Sequence, residues 1–377
     1  MLVVAVALLV IGLVMVGSAS GSLTSSPWRT VFGRQAVFVL AGGLMMFVVA
    51  RMGSKLLFTG EARNRWPVFL FAAVVVCLVV TFIPGVGASR HGSQRWLRVG
   101  PESLGLGFQP SEFAKLSMVV FLAWLSARES FDPRSLKRGF LPAALSVGVC
   151  VGLVGVEDFG TAALMGIVGG LTMFVAGCRI VHLAGAGAVG GCGLVGLLLA
   201  EPYRLERIRA FMDPLADPLG SGYHPIQSLM TIASGGWTGA GLGAGIQKRG
   251  YLPECATDFI FAVICEETGV LGGLLVIALF VVLVWLGLVA MWSAASHFER
   301  LLAFGVTTTI GLQAAMNIAV ATVCVPTTGI SLPLMSAGGS GVMMYCTAIG
   351  LVAAVALRGR HENNTGLVLQ DNEHPAG

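Results

Sequence analysis

Charge is what this chain has least of. Asp, Glu, Lys and Arg together make up 11% of its 377 residues, where a soluble domain carries about 25%. With 55% hydrophobic residues and a mean hydropathy of +0.84, that scarcity excludes a soluble globular class and points to a multi-span membrane protein. The net charge of +4 is too small to indicate a partner, and no nucleic acid is expected. Other absences narrow the reading. The alternating ten-residue segments of an outer-membrane barrel are missing. Backbone groups in lipid must bond internally, so the spans are α-helices. None of the eight cysteines (Cys77, Cys150, Cys178, Cys192, Cys255, Cys265, Cys324 and Cys346) belongs to a CxxC pair. Most lie in apolar runs, where Cys acts as a small apolar residue. There is no internal repeat, no separate soluble domain and no low-complexity tract. Walker A, GxSxG and HExxH are absent, which leaves ATP-driven or zinc-dependent chemistry without support.

What is present is a succession of apolar runs of the length that crosses a bilayer, about 20 residues. The expected fold is an all-α polytopic membrane bundle of about ten transmembrane helices, near residues 2–20, 35–52, 66–83, 111–127, 140–156, 161–177, 181–199, 259–292, 301–322 and 340–357. The 52 glycines fit close approach of membrane helices. The run 259–292 is too long for one simple span, and its first part, FIFAVICEE, is expected to lie at or dip in from the interface, with the true span starting near Gly269. Residues 1–357 form one transmembrane domain and 358–377 a disordered cytoplasmic tail. The opening MLVVAVALLVIGLVMVGSAS has no basic n-region and is read as a retained helix rather than a signal peptide. A short native leader before it is left open.

Basic residues in short loops set orientation. Arg51, Lys55, Arg63 and Arg65 share a side with Arg128, Arg134, Lys137 and Arg138, and Arg179, Arg300, Arg358 and Arg360 join them. That side is cytoplasmic, with both termini inside and a large extracytoplasmic loop over 200–258. The asymmetry is weak: ten basic residues fall outside against twelve inside. Arg29, Arg34, Arg90, Arg95, Arg98, Arg204, Arg207, Arg209, Lys248 and Arg249 are the outer set. Long loops escape the rule, which covers 200–258 but not the compact loop SRHGSQRWLRVG. Anion binding on the outer face explains the excess, because guanidinium groups suit phosphate.

Five stretches carry the polar chemistry. In QPSEFAKL, Ser111 can cap a helix, Glu112 sits in its first turn, and Lys115 lies on the same face. Either the two form a local ion pair or Lys115 faces a phosphate in a polar cavity. In VEDFGTA, Asp158 either caps the next helix or faces the outer cavity with Glu157. The loop 200–258 places Arg204, Arg207 and Arg209 at helical spacing and YHPIQSLMTIASGG in a short amphipathic helix. Its GGWTGAGLGAG follows no strand, so it is no dinucleotide motif, yet its amides can cradle an anion. Next, Asp258 opens the long apolar run, as an N-cap, a role Thr257 could also fill, or as a general base. Glu266 and Glu267, two turns further in, are intramembrane acids and so functional candidates, one of them free to pair with a basic residue. Last, NIAVATVCVPTTGISLPLMSAGGSG is interrupted by Pro326, Gly329 and Pro333, and irregular backbone at membrane depth must line a cavity or be buried in protein.

In this order, IGLVMVGSAS, RWLRVGP, QPSEFAKL, DFGTA, FMDPLADPLGSGY, IQSLMTIASGGW, YLPECATDFIFAVICEETG and NIAVATVCVPTTGISLPLMSAGGSG resemble the SEDS family (shape, elongation, division and sporulation proteins), with a lean to its division members. The resemblance runs to about residue 357. It departs at Ala256, where the family has His, at Glu157, and at Leu334, Ala337 and Gly341. It implies a peptidoglycan glycosyltransferase that polymerises lipid II on the outer face of the cytoplasmic membrane. The implied partners are a class B penicillin-binding protein transpeptidase and other divisome membrane proteins. The acid of the TDF motif, Asp258, would be catalytic. Trp96 matches the RW motif, and Glu112 and Lys115 match the PSE-x-x-K pair.

Both lines of reading converge on Asp258 as general base; the resemblance implies one inverting displacement, with undecaprenyl pyrophosphate leaving from α-linked lipid II and a β-1,4 product. Substrate-binding candidates are Trp96, Arg95, Arg98, Glu112, Lys115, Asp158, Arg204, Arg207, Lys248, Glu266 and Ser336. No residue is assigned to a metal. No cofactor is assigned, and a divalent cation, Mg or Mn, is left open beside the pyrophosphate. The rival readings are a lipid II flippase, which would use Glu266, Glu267 and the broken helices, and a non-catalytic divisome scaffold.

Overall fold

The structure is a computed structural model that describes residues 1–20, 31–56, 65–83, 87–90, 93–98, 107–248 and 250–373. Among them are twelve α-helices. Each of the ten expected spans has a helix: α1 (Leu2–Ala19), α2 (Val31–Leu56), α3 (Trp66–Val80), α4 (Pro110–Ser126), α5 (Leu141–Glu157), α6 (Phe159–Val175), α7 (Ile180–Ala200), α10 (Ile260–Trp292), α11 (His297–Ala321) and α12 (Gly339–Glu373). Seven helices are long and apolar enough to cross a membrane, and α3 and α6 are shorter apolar helices. Two more, α8 (Pro202–Met212) and α9 (Tyr223–Gly235), lie in the long connection, where α9 is the expected amphipathic helix.

Local signals account for the helix starts. A proline stands in the first turn of α3, α4, α5 and α8, where its missing N–H costs nothing and its fixed φ suits the helix. Ser296 caps α11 by accepting from the Glu299 amide, and the Glu299 carboxylate reaches back to the Ala295 N–H and pairs with Arg358 at 2.9 Å. The loop after α3 is not wholly irregular: β1 (Gly87–Arg90), β2 (Ser93–Arg98) and β3 (Gly107–Phe108) form an antiparallel sheet. Strands this short are hard to see in a Gly-rich stretch. The backbone of α12 stays helical past 357 to Glu373, since no proline stops it before Pro375.

Inside the bundle α2 runs along α12, α10 along α11, α5 along α6 and α3 along α4. α11 and α4 lie near the centre, with Met118, Leu122, Leu301 and Leu302 almost fully buried. α7 buries no residue and lies at the periphery. We call the end carrying the sheet, α8 and α9 the loop end.

The feature that shapes this end is a break in α10. Gly269 has φ +73° and ψ −177°, so the helix hydrogen bonds cannot continue through it. Unpaired peptide groups are costly at membrane depth. The glycine-rich loop after α9 supplies the missing partners. The amides of Ala240 and Gly241 donate to the carbonyls of Glu266 and Glu267 at 2.9 and 3.0 Å, and the amides of Val270 and Leu271 donate to the carbonyls of Gly236 and Trp237 at 2.9 and 3.3 Å. The strands of backbone approach so closely that a Cβ on Gly269 would stand 2.2 Å from the Trp237 oxygen. The expected separation of FIFAVICEE from the span proper is therefore this break.

Gly269→Ala meets both a left-handed backbone and a backbone clash. We expect a loss of at least about 2 kcal/mol, read as a lower thermal midpoint in detergent or poor recovery from membranes. Recovery and a midpoint equal to wild type would rule out the break.

Candidate functional site

Asp258 lies at the loop end, half-buried, in a tight turn before α10. It is not the N-cap: Phe259 holds that position and offers no side-chain cap, and the Thr257 hydroxyl bonds Glu254 instead, 2.8 Å from Oε2. The turn starts at Glu254, whose φ of 53° is left-handed, and the Glu254 carbonyl accepts from the amides of Thr257, Asp258 and Phe259. The facing irregular segment between α11 and α12 holds a second left-handed residue, Leu334 (φ 65°). Strain of this kind persists only where the surroundings over-determine the backbone. Here they do. Three successive carbonyls are each held by a donor: Ala256 by the Ala337 amide at 2.8 Å, Thr257 by the Ser336 hydroxyl at 2.5 Å, and Asp258 by the Asn317 amide at 2.8 Å. Ser336 is 3% exposed and also accepts from the Leu332 N–H. Its side chain is a clamp between two loops.

The acid and base of α4 are buried one layer below. Lys115, 1% exposed, donates to Glu112 at 2.8 Å, to Gln313 at 2.6 Å and to Tyr345 at 2.9 Å, and Tyr345 donates in turn to Gln313. Lys115 is thus closed in by protein rather than facing an open cavity. The ion pair is the reading that fits, with two distant residues added. Burial of such a pair needs these extra hydrogen bonds to offset desolvation. One carboxylate oxygen of Glu112, Oε2, has no hydrogen-bond partner. α4 itself begins at Pro110 with Gln109 as N-cap, so Ser111 is not the cap.

Asp158 is 2% exposed and caps α6, accepting from the Thr161 N–H and hydroxyl, both at 2.9 Å. Arg204 is also buried. Its guanidinium donates to Leu197 O (2.8 Å) and Val156 O (2.6 Å), the terminal carbonyls of α7 and α5, where a cation suits the helix ends. Arg207 differs: it is exposed, lies over the Tyr203 ring at 5.4 Å and donates to Thr327 O at 3.2 Å.

Glu266 and Glu267 hold the glycine loop with their side chains as well. Glu266 Oε1 accepts from the amides of Ile246 and Gln247 at 2.7 and 3.0 Å. Glu267 accepts from Ser18, from the Gly243 amide and from Lys248 Nζ, 2.5 Å away. The loop amides do cradle an anion, and it is the chain's own. Lys248 is accordingly 7% exposed at its side chain and pinned between Glu267 and Ser18. Trp96 sits in β2 against Gly107 of β3. The side chains of Arg95 and Arg98 lie outside the described residues.

Two site residues escaped the sequence reading. Asn317 is fully buried on α11. His224 of α9 stacks on Phe259, centroids 5.9 Å apart and planes 9° apart, and its Nδ1 has no hydrogen-bond partner. A polar amide in an apolar run was the available signal for Asn317. A histidine in a turn-rich loop gives none.

Comparison with known proteins follows this geometry. The FTSW_RODA_SPOVE family model, described as cell cycle protein, matches residues 1–361. The chain is 38% identical over 365 residues to stage V sporulation protein E of Bacillus subtilis, covering 96% of this chain and 97% of the relative. It is 41% identical over 368 residues to a probable peptidoglycan glycosyltransferase FtsW of Nitrosococcus halophilus, covering 94% and 91%. Among solved structures, a chain from work on the structural coordination of polymerization and crosslinking by a peptidoglycan synthase complex superposes with TM-score 0.74 at 28% identity, covering 95% of this chain and 97% of that one. Thermus thermophilus rod shape determining protein RodA superposes with TM-score 0.66 at 26% identity, covering 94% and 95%.

Burial, and then the Arg207 charge, push His224 below its ordinary value, against a smaller opposing pull from Glu254. A lowered histidine binds its proton less readily folded than unfolded. Its neutral form therefore supports the fold above the unfolded value of about 6.5, and that support fades as pH falls below it. The thermal midpoint in detergent should drop further between about pH 7 and pH 5 in wild type than in His224→Phe, which keeps the stack on Phe259. Equal pH dependence would count against this role.

Proposed function

The chain belongs to the FtsW/RodA/SpoVE family of cell cycle proteins, and we propose that it is a peptidoglycan glycosyltransferase that polymerises lipid II into β-1,4-linked glycan strands during cell division. It works as a multi-pass protein of the bacterial cytoplasmic membrane, with the loop end on the outer face. The glycosyltransferase named among its relatives supports the activity. The observation that carries the site is the turn at Asp258, whose carbonyl is fixed by Asn317 of α11 and both preceding ones by the segment between α11 and α12, while the residue itself stays half-exposed.

In this mechanism the Asp258 carboxylate takes the proton of the acceptor sugar hydroxyl. The hydroxyl oxygen attacks the anomeric carbon of the lipid-linked donor, the bond from that carbon to the pyrophosphate oxygen breaks, and undecaprenyl pyrophosphate leaves with the electron pair. A single displacement inverts the α linkage to β, so one carboxylate is enough. Charge on the leaving group is offset by exposed basic side chains at the loop end; among the described residues Arg207 lies near the Asp258 turn, through His224 and Thr327. Arg204, Lys115 and Lys248 act through structure, since their charges are already committed. Among the described residues no three His, Cys, Asp or Glu side chains come together as a metal-holding group.

The partner is a class B penicillin-binding protein that crosslinks the strands. Similarity to a chain solved in a peptidoglycan synthase complex supports it. A flippase would call for polar side chains free to rehydrate along the bundle, whereas Glu112, Lys115, Gln313 and Tyr345 close on one another.

With purified protein, its transpeptidase partner and labelled lipid II, Asp258→Ala should lose at least about 100-fold in glycan polymer while keeping the wild-type thermal midpoint. Equal polymer from both proteins would return Asp258 to a structural role.

A further inference from the structure

Of the three donors that fix the Asp258 turn, two come from the irregular segment between α11 and α12: the Ala337 amide and the Ser336 hydroxyl. That segment is itself a loop, held to the bundle by Gln35 of α2, which donates to Ser336 O and accepts from the Gly338 amide, both at 3.1 Å. The third donor is different. Asn317 lies on α11, 0% exposed, and its amide nitrogen gives one hydrogen to Asp258 O at 2.8 Å and the other to Ile330 O at 2.7 Å. One turn earlier Gln313 donates to Ser331 O at 2.9 Å while accepting from Lys115. Among the described residues, Asn317 is the helix side chain seen bonding both loops. Its Oδ1 accepts no hydrogen bond, so everything its polarity achieves comes from the two donations.

We propose that Asn317 is the positioning residue of Asp258: one amide on a rigid central helix sets the height and direction of the Asp258 backbone, and through it the reach of the carboxylate to the acceptor hydroxyl. This rests on the reading of Asp258 as general base. A base must come within about 2.6–3.2 Å of the proton it takes, and a misplacement of about 1 Å can cost roughly 100-fold in rate. Side-chain donors suit the task, since the Asp258 carbonyl precedes the first turn of α10 and has to be held from outside that helix. Asn317 is buried and touches no substrate, so its effect falls on turnover rather than on binding.

The test uses the full chain with its transpeptidase partner in proteoliposomes, measuring initial rates of polymer formation against lipid II concentration. Asn317→Leu, branched at the same carbon and without donors, should lower kcat by about 30- to 100-fold and leave KM within about twofold of wild type. Asn317→Gln keeps the amide and should recover at least about fivefold over Asn317→Leu. Where Asn317→Leu does not fold, Asn317→Ser, which retains one donor, should show the same split with about a tenfold loss. A folded Asn317→Leu with wild-type kcat would overturn the proposal. So would a loss confined to KM, or equal rates for the Gln and Leu variants. Full polymer from Asp258→Ala in the same assay would remove the general-base reading itself, an outcome distinct from any result at position 317.

Discussion

A helix interrupted within a membrane leaves peptide groups that neither lipid nor the helix can satisfy, and α10 has such an interruption at Gly269. Most of the architecture of the loop end follows from how that deficit is met. The glycine-rich loop returns into the bundle and gives and takes four backbone hydrogen bonds across the break. Glu266 and Glu267 bind further amides of the same loop with their side chains, and Lys248 and Ser18 neutralise and orient the second of them. The result fixes the short first segment of α10, and Asp258 stands immediately before it.

The polar residues of the bundle fall into two kinds. One kind is consumed by the fold. Arg204 closes two helix ends, Asp158 caps a third helix, Lys115 and Glu112 form a buried pair with Gln313 and Tyr345, and Ser336 ties two loops together. The other kind stays at the surface of the loop end. Asp258 and Arg207 are its main members, with His224 stacked between their elements. A glycosyltransferase that draws its donor from the bilayer needs this division: rigid support below, and charge of both signs at the water–lipid boundary above. Enclosing the supporting charges in low dielectric also makes them intolerant of losing one partner, so substitutions at Lys115 or Glu267 act on activity through the fold.

Much of this was legible in the sequence, and the reason differs by element. Helices at the ten expected places were visible because bilayer thickness imposes a length that few other constraints imitate, and among the described residues seven of them are long and apolar enough to cross a membrane. The separate first segment of α10 was visible because two acids and a glycine interrupt an otherwise apolar run. The SEDS motifs led to Asp258. What stayed hidden was pairing at a distance. Lys115 finds Gln313 and Tyr345 at separations of 198 and 230 residues, and the amides that bond Glu266 and Glu267 come from the loop before them, so residues expected as substrate ligands make internal contacts. The β1–β3 sheet was missed because its strands are two to six residues long. The cap on α4 was misplaced by one signal outranking another: Pro110 starts the helix before Ser111 can cap it.

The central claim is that the completed break in α10 holds the catalytic turn. Gly239 tests it directly, since it touches neither Asp258 nor any proposed substrate contact, has φ +82°, and would place a Cβ 2.2 Å from the Glu267 carbonyl oxygen. Polymerisation of lipid II by Gly239→Ala, reconstituted with its partner and still inserted and helical, should fall at least about tenfold. Polymer at the wild-type rate would contradict the account.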